Sequence, residues 1–272
     1  VTADDVPEPM AMRLARLTLS GLMRVFSVVV LLAVWEWLAR SGTLTHFQLP
    51  AFSDVVGYIW DEGMSGDLWL NTGLTLYRAL TAFCFASVAG VAIGMAMSRS
   101  KIAAWFFDPI VSVGFPMPKI AFLPVIILWL GVYDVSKITM AFFDAVFPVI
   151  AATMIAIQGV EKELIWSARN MGASKREVLL HVVLPAAFPQ IMTGLQVALP
   201  LALIVTVVAE MLMGGYGLGG AMITASRFAN STGVFAGIVE IAIVGYALVK
   251  IMGLIRRRLL SWHPEANEPN TV

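Results

Sequence analysis

Long apolar runs, each close to the length that spans a bilayer, constrain this chain more than any other feature. A helix rises about 1.5 Å per residue, so crossing about 30 Å of hydrocarbon takes about 20 residues. Only helices suit such runs, because backbone donors and acceptors left unpaired in lipid are costly. The sequence therefore predicts an all-α integral membrane protein with six transmembrane helices, at residues 23–39, 74–97, 110–132, 138–157, 191–213 and 234–255.

The composition supports a membrane protein and excludes several other classes. Of the 272 residues, 59% are hydrophobic and only 13% are charged, which is too apolar for a soluble domain. The net charge is zero, so we expect no nucleic acid partner. The single cysteine, Cys84, excludes an internal disulfide and argues against a cysteine-ligated metal site. The first apolar run ends in WEWLAR without a small-residue cleavage pattern, so we expect it to be retained.

The distribution of Lys and Arg predicts the orientation, because basic loops face the cytoplasm. With the N-terminus inside, only three basic residues lie outside, namely Arg40, Lys137 and Arg227. Both termini are therefore expected to be cytoplasmic, with residues 1–22 as an N-terminal segment and 23–272 as the transmembrane domain. Inside lie Arg13, Arg16, Arg24, Arg99, Lys101, Lys162, Arg169, Lys175, Arg176, Lys250, Arg256, Arg257 and Arg258.

Two flanking segments have short amphipathic patterns. Residues 14–22 either lie along the inner membrane surface or form a basic lead-in to the first run, and both readings stay open. On the outer side, LPAFSDVVGYIWDEG predicts a short interfacial helix with Ser53 as its N-cap.

A charged, amphipathic segment interrupts the apolar runs between the fourth and fifth helices. We name residues 158–187, which contain WSARNMGASKREVLLHVVLP, the polar insert. Apolar residues at helical spacing predict a helix over 161–170, and Gly172 is expected to end it. On the predicted topology, the polar insert lies in the cytoplasm.

A second helix is expected in the polar insert. Ser174 and Glu177 match a capping box, in which each side chain bonds the backbone N–H of the other residue. Pro185 is expected to stop this helix before the fifth span. The pattern fits either a helix pair lying in the lipid headgroups or a segment that presses on a partner.

The third apolar run is expected to be broken. The stretch GFPMPKIAFLP places Pro116, Pro118 and Pro124 within nine positions, and each proline removes a backbone donor. The freed carbonyls need protein or water nearby. A structural kink and the lining of a transport pathway are both consistent with this pattern.

Charged residues inside the apolar runs also need partners, since one at the bilayer centre costs about 2.5–3.5 kcal/mol. Glu36 and Arg40 stand four apart and are expected to pair. The others are expected to pair between helices or to face a pathway. Asp144 is the main pathway candidate, with Arg78 or Lys119 as its alternative partner. The candidate intramembrane polar residues are Arg78, Lys119, Asp144 and Glu210, and Glu240 lies in the last run.

The polar insert resembles the EAA loop of binding-protein-dependent ABC importer permeases. The spacing from Ala168 through Gly172 to Val182, Leu184 and Pro185 matches that loop throughout. Trp166 and Ser167 stand where the family has Glu and Ala, and Val182 replaces Ile. Further matches resemble the nitrate, sulfonate and taurine permease branch: LPAFSDV at 49–55, Thr75, Arg78, Asp108-Pro109, PKIAFLP at 118–124, Phe147-Pro148, Ala209-Glu210 and Gly217-Leu218-Gly219.

This resemblance implies a type I ABC importer permease in a bacterial inner membrane, with several passes through the bilayer. It implies a homodimer of this chain, two cytosolic ATPase subunits and an external binding protein. The solute would be small and anionic, similar to a sulfonate or nitrate. The residues implied in ATPase coupling are Glu163, Trp166, Ala168, Arg169, Gly172, Ala173, Ser174, Leu184 and Pro185.

The chain is not expected to be an enzyme or to bind a cofactor. It lacks G-x-x-x-x-G-K-[ST], so ATP and Mg are expected on the partner ATPase. The glycine-rich GGYGLGG at 214–220 follows an apolar run and no strand, which indicates an outer loop or pore-edge turn. The alternative function is a proton- or ion-coupled secondary transporter, which the absence of a second six-helix half disfavours.

Overall fold

The computed structural model describes residues 26–262, and over these residues the protein is a bundle of helices without a strand. The predictions for residues 1–22 and for the start of the first run lie outside the described residues. The helices are α1 (26–40), α2 (Phe52–Ser65), α3 (Asp67–Arg99), α4 (Lys101–Gly114), α5 (Leu123–Leu130), α6 (Asp134–Gln158), α7 (Lys162–Asn170), α8 (Lys175–Val178), α9 (Leu184–Met213), α10 (Leu218–Arg227) and α11 (Ser231–Leu259).

Four stretches of the described chain are long and apolar enough to cross a membrane. They contain α3, α6, α9 and α11, and the bent pair of α4 with residues 119–130 makes up to five. The all-helical membrane fold is thus confirmed. The count of six spans and the cytoplasmic position of both termini stay predictions.

The predicted break in the third apolar run is confirmed. Helix α4 ends at Gly114, a 3₁₀ turn covers Lys119–Phe122, and α5 follows at Leu123. The two halves are bent by 94°. Pro116 and Pro118 lie between them, and their missing N–H groups prevent the helix from continuing.

A short helix, α2, is present where the sequence predicts one, but Ser53 is not its N-cap. The cap position is Ala51, which makes no side-chain cap bond. The Ser53 hydroxyl instead donates to Glu36 and accepts from Arg40, at 3.0 and 2.9 Å. The predicted pair of Glu36 with Arg40 therefore exists and recruits the serine.

Helix α6 occupies the centre of the bundle and packs against α3 and α9. Small residues allow the close approach. A Cβ atom added to Gly90 of α3 would lie 2.6 Å from Cβ of Val149, and Gly94 faces Thr153 in the same way. On the other side, Gly194 of α9 lies against Ala152. The separation of the three helices is thus set by glycines.

A buried ion network joins these helices at the end opposite the polar insert. Arg78 of α3 donates to Glu210 of α9 at 2.6 Å and to Asp134 of α6 at 2.8 Å. The Glu210 carboxylate also accepts from the hydroxyl of Thr75 and from the Gly219 N–H. The side chain of Glu210 is 0% exposed and that of Arg78 4%. Arg78 and Glu210 therefore pair between helices.

The close approach of α3 and α6 predicts a difference between two glycines of α3. Gly90→Ala should destabilise the fold by about 1–3 kcal/mol, because the new methyl group overlaps Val149. Gly73→Ala is the matched control, since no atom lies within 4 Å of the added Cβ. It should raise stability by up to about 1 kcal/mol through helix propensity. Thermal unfolding in detergent measures both, and equal midpoints would contradict the packing.

The ion network predicts unequal effects from removing two of its charges. Arg78→Met leaves Glu210 buried without its cation and should destabilise by about 3–5 kcal/mol. Asp134→Asn removes a carboxylate whose side chain is 48% exposed, and should change stability by about 1 kcal/mol or less. The thermal midpoint and the monodisperse yield in detergent measure the difference. Similar losses of stability in both variants would contradict a fold that depends mainly on the buried pair of Arg78 and Glu210.

Candidate functional site: the polar insert and the broken helix

The first half of the polar insert is a helix that ends as predicted at Gly172. Helix α7 ends at Asn170, and Gly172 adopts φ +90°, a left-handed conformation that favours glycine. The Ala173 N–H donates to the Ala168 carbonyl, and the Gly172 N–H donates to Arg169. These two bonds satisfy carbonyls at the helix end in the Schellman arrangement. The chain then turns sharply into the second half.

The predicted capping box at the start of α8 is confirmed. The Glu177 N–H donates to the Ser174 hydroxyl at 3.3 Å, and the Ser174 N–H donates to the Glu177 carboxylate at 2.8 Å. The Ser174 hydroxyl and N–H both bond this carboxylate and thereby hold the pKa of Glu177 below its ordinary value. The negative charge that the cap needs is therefore favoured.

The prediction that Pro185 stops the second helix is wrong. Helix α8 passes through a π-helical turn at Leu179–Val183 directly into α9, which begins at Leu184. Pro185 lies in the first turn of α9, where the missing N–H is tolerated. The wider π turn also changes the hydrogen-bond register just before the proline. As a result, the second half of the polar insert is continuous with a membrane-spanning helix.

The buried side of the polar insert packs on the ends of two spans. Ala168, Val178, Val183 and Val160 of the polar insert form a core cluster with Ile157 at the end of α6. The same cluster includes Ala187 and Ile191 of α9. Arg99 at the end of α3 donates to the Lys175 carbonyl at 3.4 Å. The polar insert is thereby attached to α3, α6 and α9.

The opposite side of the polar insert carries exposed apolar groups. Met171 is 80% exposed, and Trp166 and Leu164 also face outward. Met171 also borders a shallow groove of about 370 Å³, which is lined by Met171, Gly172, Ala173, Glu177, His181 and Val182. Exposed apolar side chains around a groove are typical of a surface that binds another protein.

The predicted coupling residues divide between the two sides of the polar insert. Ala168 is buried, Ala173 and Leu184 are half-buried, and the other six are exposed: Glu163, Trp166, Arg169, Gly172, Ser174 and Pro185. Sequence reasoning missed His181 in the groove and Arg99 beside α8. No local pattern marks either residue, because both are brought there by the packing of other elements.

The second place of interest is the ion pair at the broken helix. The Lys119 ammonium lies 3.0 Å from the Asp144 carboxylate and donates to the Phe115 carbonyl at 2.9 Å. It also lies over the rings of Phe147 and Phe115, at 5.2 and 5.9 Å from their centroids. Of the two partners predicted for Asp144, the structure therefore has Lys119.

The glycine-rich stretch at 214–220 forms a turn at the end of the bundle opposite the polar insert. Gly214, Gly215 and Gly217 have positive φ, and helix α10 begins at Leu218. A pocket of about 450 Å³ adjoins it and is lined by Tyr58, Glu62, Asp67, Asn71, Gly215, Tyr216, Gly220, Ala221, Thr224, Ala225, Phe228 and Asn230.

Across residues 26–262, no cluster of three or more His, Cys, Asp or Glu residues could hold a metal ion.

Known proteins match this chain over most of its length. Residues 86–261 match the family of the binding-protein-dependent transport system inner membrane component. The taurine transport system permease protein TauC of Escherichia coli (strain K12) is 31% identical over 248 residues, covering 89% of this chain and 90% of TauC. The putative aliphatic sulfonates transport permease protein SsuC of Bacillus subtilis (strain 168) is 32% identical over 233 residues, covering 86% of this chain and 84% of SsuC.

The fold has a counterpart among solved structures. The crystal structure of an amino acid ABC transporter with histidines superposes with a TM-score of 0.60 at 17% identity, covering 76% of this chain and 98% of that one. This likeness shows the fold of type I ABC importer permeases. The match over residues 86–261 shows the family. This chain belongs to the family of binding-protein-dependent transport system inner membrane components, the permease subunits of ABC importers.

Proposed function

We propose that this permease imports a small anionic solute and that its polar insert is the part gripped by a separate cytosolic ATPase. One observation carries the proposal: the polar insert has one side packed on α6 and α9 and the other side exposed around a groove. A segment that only rested on lipid headgroups would not need a groove beside its apolar side chains. The exposed coupling residues, Trp166 and Gly172 among them, form the contact surface.

The attachment of the polar insert explains how force reaches the membrane. Closure of an ATPase dimer displaces whatever is docked on it. Because α8 continues through the π turn into α9, that displacement tilts a spanning helix. The core shared with Ile157 transmits it to α6 as well. The transport pathway then opens alternately to the two sides of the membrane.

The rest of the assembly follows from membership of this family. We propose two copies of this chain, two ATPase subunits that hold ATP and Mg, and an external binding protein that delivers the solute. The assembly would lie in a bacterial inner membrane. The names of the two relatives, for taurine and for aliphatic sulfonates, support a sulfonate-like anion as the solute. Uptake that vanadate inhibits and a protonophore does not would exclude the secondary transporter.

The docking of the polar insert predicts that two glycines with the same geometry behave differently. Gly172 has φ +90° and Gly66 has φ +93°, and no atom lies within 4 Å of an added Cβ at either position. Gly172→Val should lower ATP-driven uptake by about tenfold or more, because it alters the surface that the ATPase grips. Gly66→Val imposes the same backbone strain at the opposite end of the bundle and should retain most uptake.

Uptake into proteoliposomes, with the amount of subunit in the membrane measured alongside, checks this prediction. Equal losses in the two variants would show that backbone strain alone matters. Normal uptake by Gly172→Val would remove the polar insert from the coupling mechanism.

The orientation of the polar insert can be tested by labelling single cysteines. Starting from Cys84→Ala, we expect Ser65→Cys to react with a membrane-impermeant maleimide in right-side-out vesicles. Arg176→Cys of the polar insert should react only after the vesicles are permeabilised. Both positions are exposed in the structure, so accessibility within the fold does not separate them. Labelling of Arg176→Cys in sealed vesicles would place the polar insert on the wrong side for an ATPase.

A further inference from the structure

At the break between α4 and α5, the backbone must contact something other than lipid. Residues 115–118 leave the helical path, and the chain bends by 94° there. Non-helical backbone within a membrane is tolerated only where it contacts protein or a water-filled cavity. The Lys119 ammonium accounts for one freed carbonyl, that of Phe115.

The ion pair at this break is more accessible than the pair of Arg78 with Glu210. The side chains of Lys119 and Asp144 are 15% and 23% exposed, whereas those of Arg78 and Glu210 are 4% and 0% exposed. A charge facing acyl chains would cost about 2.5–3.5 kcal/mol. The exposed parts of Lys119 and Asp144 therefore face a water-filled path or another protein surface.

The surroundings of Lys119 leave room for one more partner. Among residues 26–262, its two acceptors are the Asp144 carboxylate and the Phe115 carbonyl. An ammonium group has three N–H donors. The faces of the Phe147 and Phe115 rings attract the ammonium through cation–π interactions. These interactions remain when one acceptor is displaced. The same rings offer apolar contacts to the body of an organic anion.

We infer that Lys119 binds the anionic group of the transported solute, which replaces Asp144 as the partner of the ammonium during passage. This inference rests on the proposed function and adds a specific binding residue to it. A single cation in this position suits a group of one negative charge, such as a sulfonate or nitrate. While the solute is bound, the site holds one cation and two anionic groups, and water of the path solvates the Asp144 carboxylate, which is 23% exposed.

The test uses the complete transporter in proteoliposomes, with ATP hydrolysis and uptake of taurine, ethanesulfonate and nitrate each measured. Lys119→Gln should lower uptake by about tenfold or more, the effect of losing about one charge-assisted hydrogen bond, with ATP hydrolysis largely retained. Lys119→Arg should keep most of the uptake. Lys250→Gln is the control, since the Lys250 ammonium also lies over an aromatic ring, that of Tyr246, but in α11 and outside the proposed site. It should transport normally.

A double variant separates solute binding from a purely structural ion pair. Replacing a buried pair with apolar residues is often neutral for stability. Lys119→Met combined with Asp144→Leu should therefore keep its thermal midpoint and still fail to transport. Restored uptake in this variant, or normal uptake by Lys119→Gln, would overturn the inference.

The wild-type complex distinguishes failure of the inference from failure of the proposed function. A complex without vanadate-sensitive uptake and without ATP hydrolysis stimulated by its binding protein would refute the proposed function. A complex that hydrolyses ATP and moves none of the three solutes would remove the sulfonate and nitrate class, and the role of Lys119 with it. If the wild-type complex transports and only the Lys119 variants lose uptake, the result concerns the role of Lys119 alone.

Discussion

Inside a bilayer no bulk water is available, so polar groups carried there have to be satisfied by protein or by enclosed water. This constraint shapes the sites around Glu210 and Lys119. Around Glu210 it is met by a closed network in which Arg78, Thr75 and the Gly219 N–H converge on one carboxylate. At Lys119 it is met by one carboxylate and one carbonyl beside a bend of 94°. The first site is suited to holding helices together, and the second to exchanging a partner.

Helix α6 connects the parts on which the proposed mechanism depends. Its buried sides pack on α3 and α9 at the distances that Gly90 and Gly194 allow. Its final turn shares a core with the polar insert through Ile157. Asp144, the partner of Lys119, lies on the same helix before these contacts. A displacement of the polar insert would therefore reach the ion pair along a single helix, without a long chain of separate contacts.

The polar insert combines a firm attachment with a free surface. Its buried residues are small or β-branched, such as Ala168 and Val178, and they bring its backbone close to the spans. Two of its large apolar residues, Trp166 and Met171, are exposed, while Ile165 and Leu179 pack against its core. Exposure of Trp166 and Met171 forgoes the stabilisation that burial of large apolar groups would give. It is consistent with a surface kept for a partner.

Features that depend on near neighbours along the chain could be predicted from the sequence. The apolar runs, the proline break after Gly114, the turn at Gly172 and the capping box at Ser174 are of this kind. Predictions failed where distant contacts compete with local preference. Ser53, for example, bonds the pair of Glu36 and Arg40 in place of the α2 backbone. The prediction for Pro185 failed for a local reason, because a π turn that the sequence pattern did not indicate precedes the proline.

The sequence by itself determined that the chain is helical, that it belongs in a membrane and which segment interrupts the spans. Run lengths and caps are local properties, so they can be read without knowing the fold. Only the tertiary structure decided that Asp144 pairs with Lys119 while Arg78 pairs with Glu210, 132 residues further along the chain. The physical reason is that ion pairs form between helices that happen to pack together, and packing depends on the shapes of surfaces that sequence spacing does not describe.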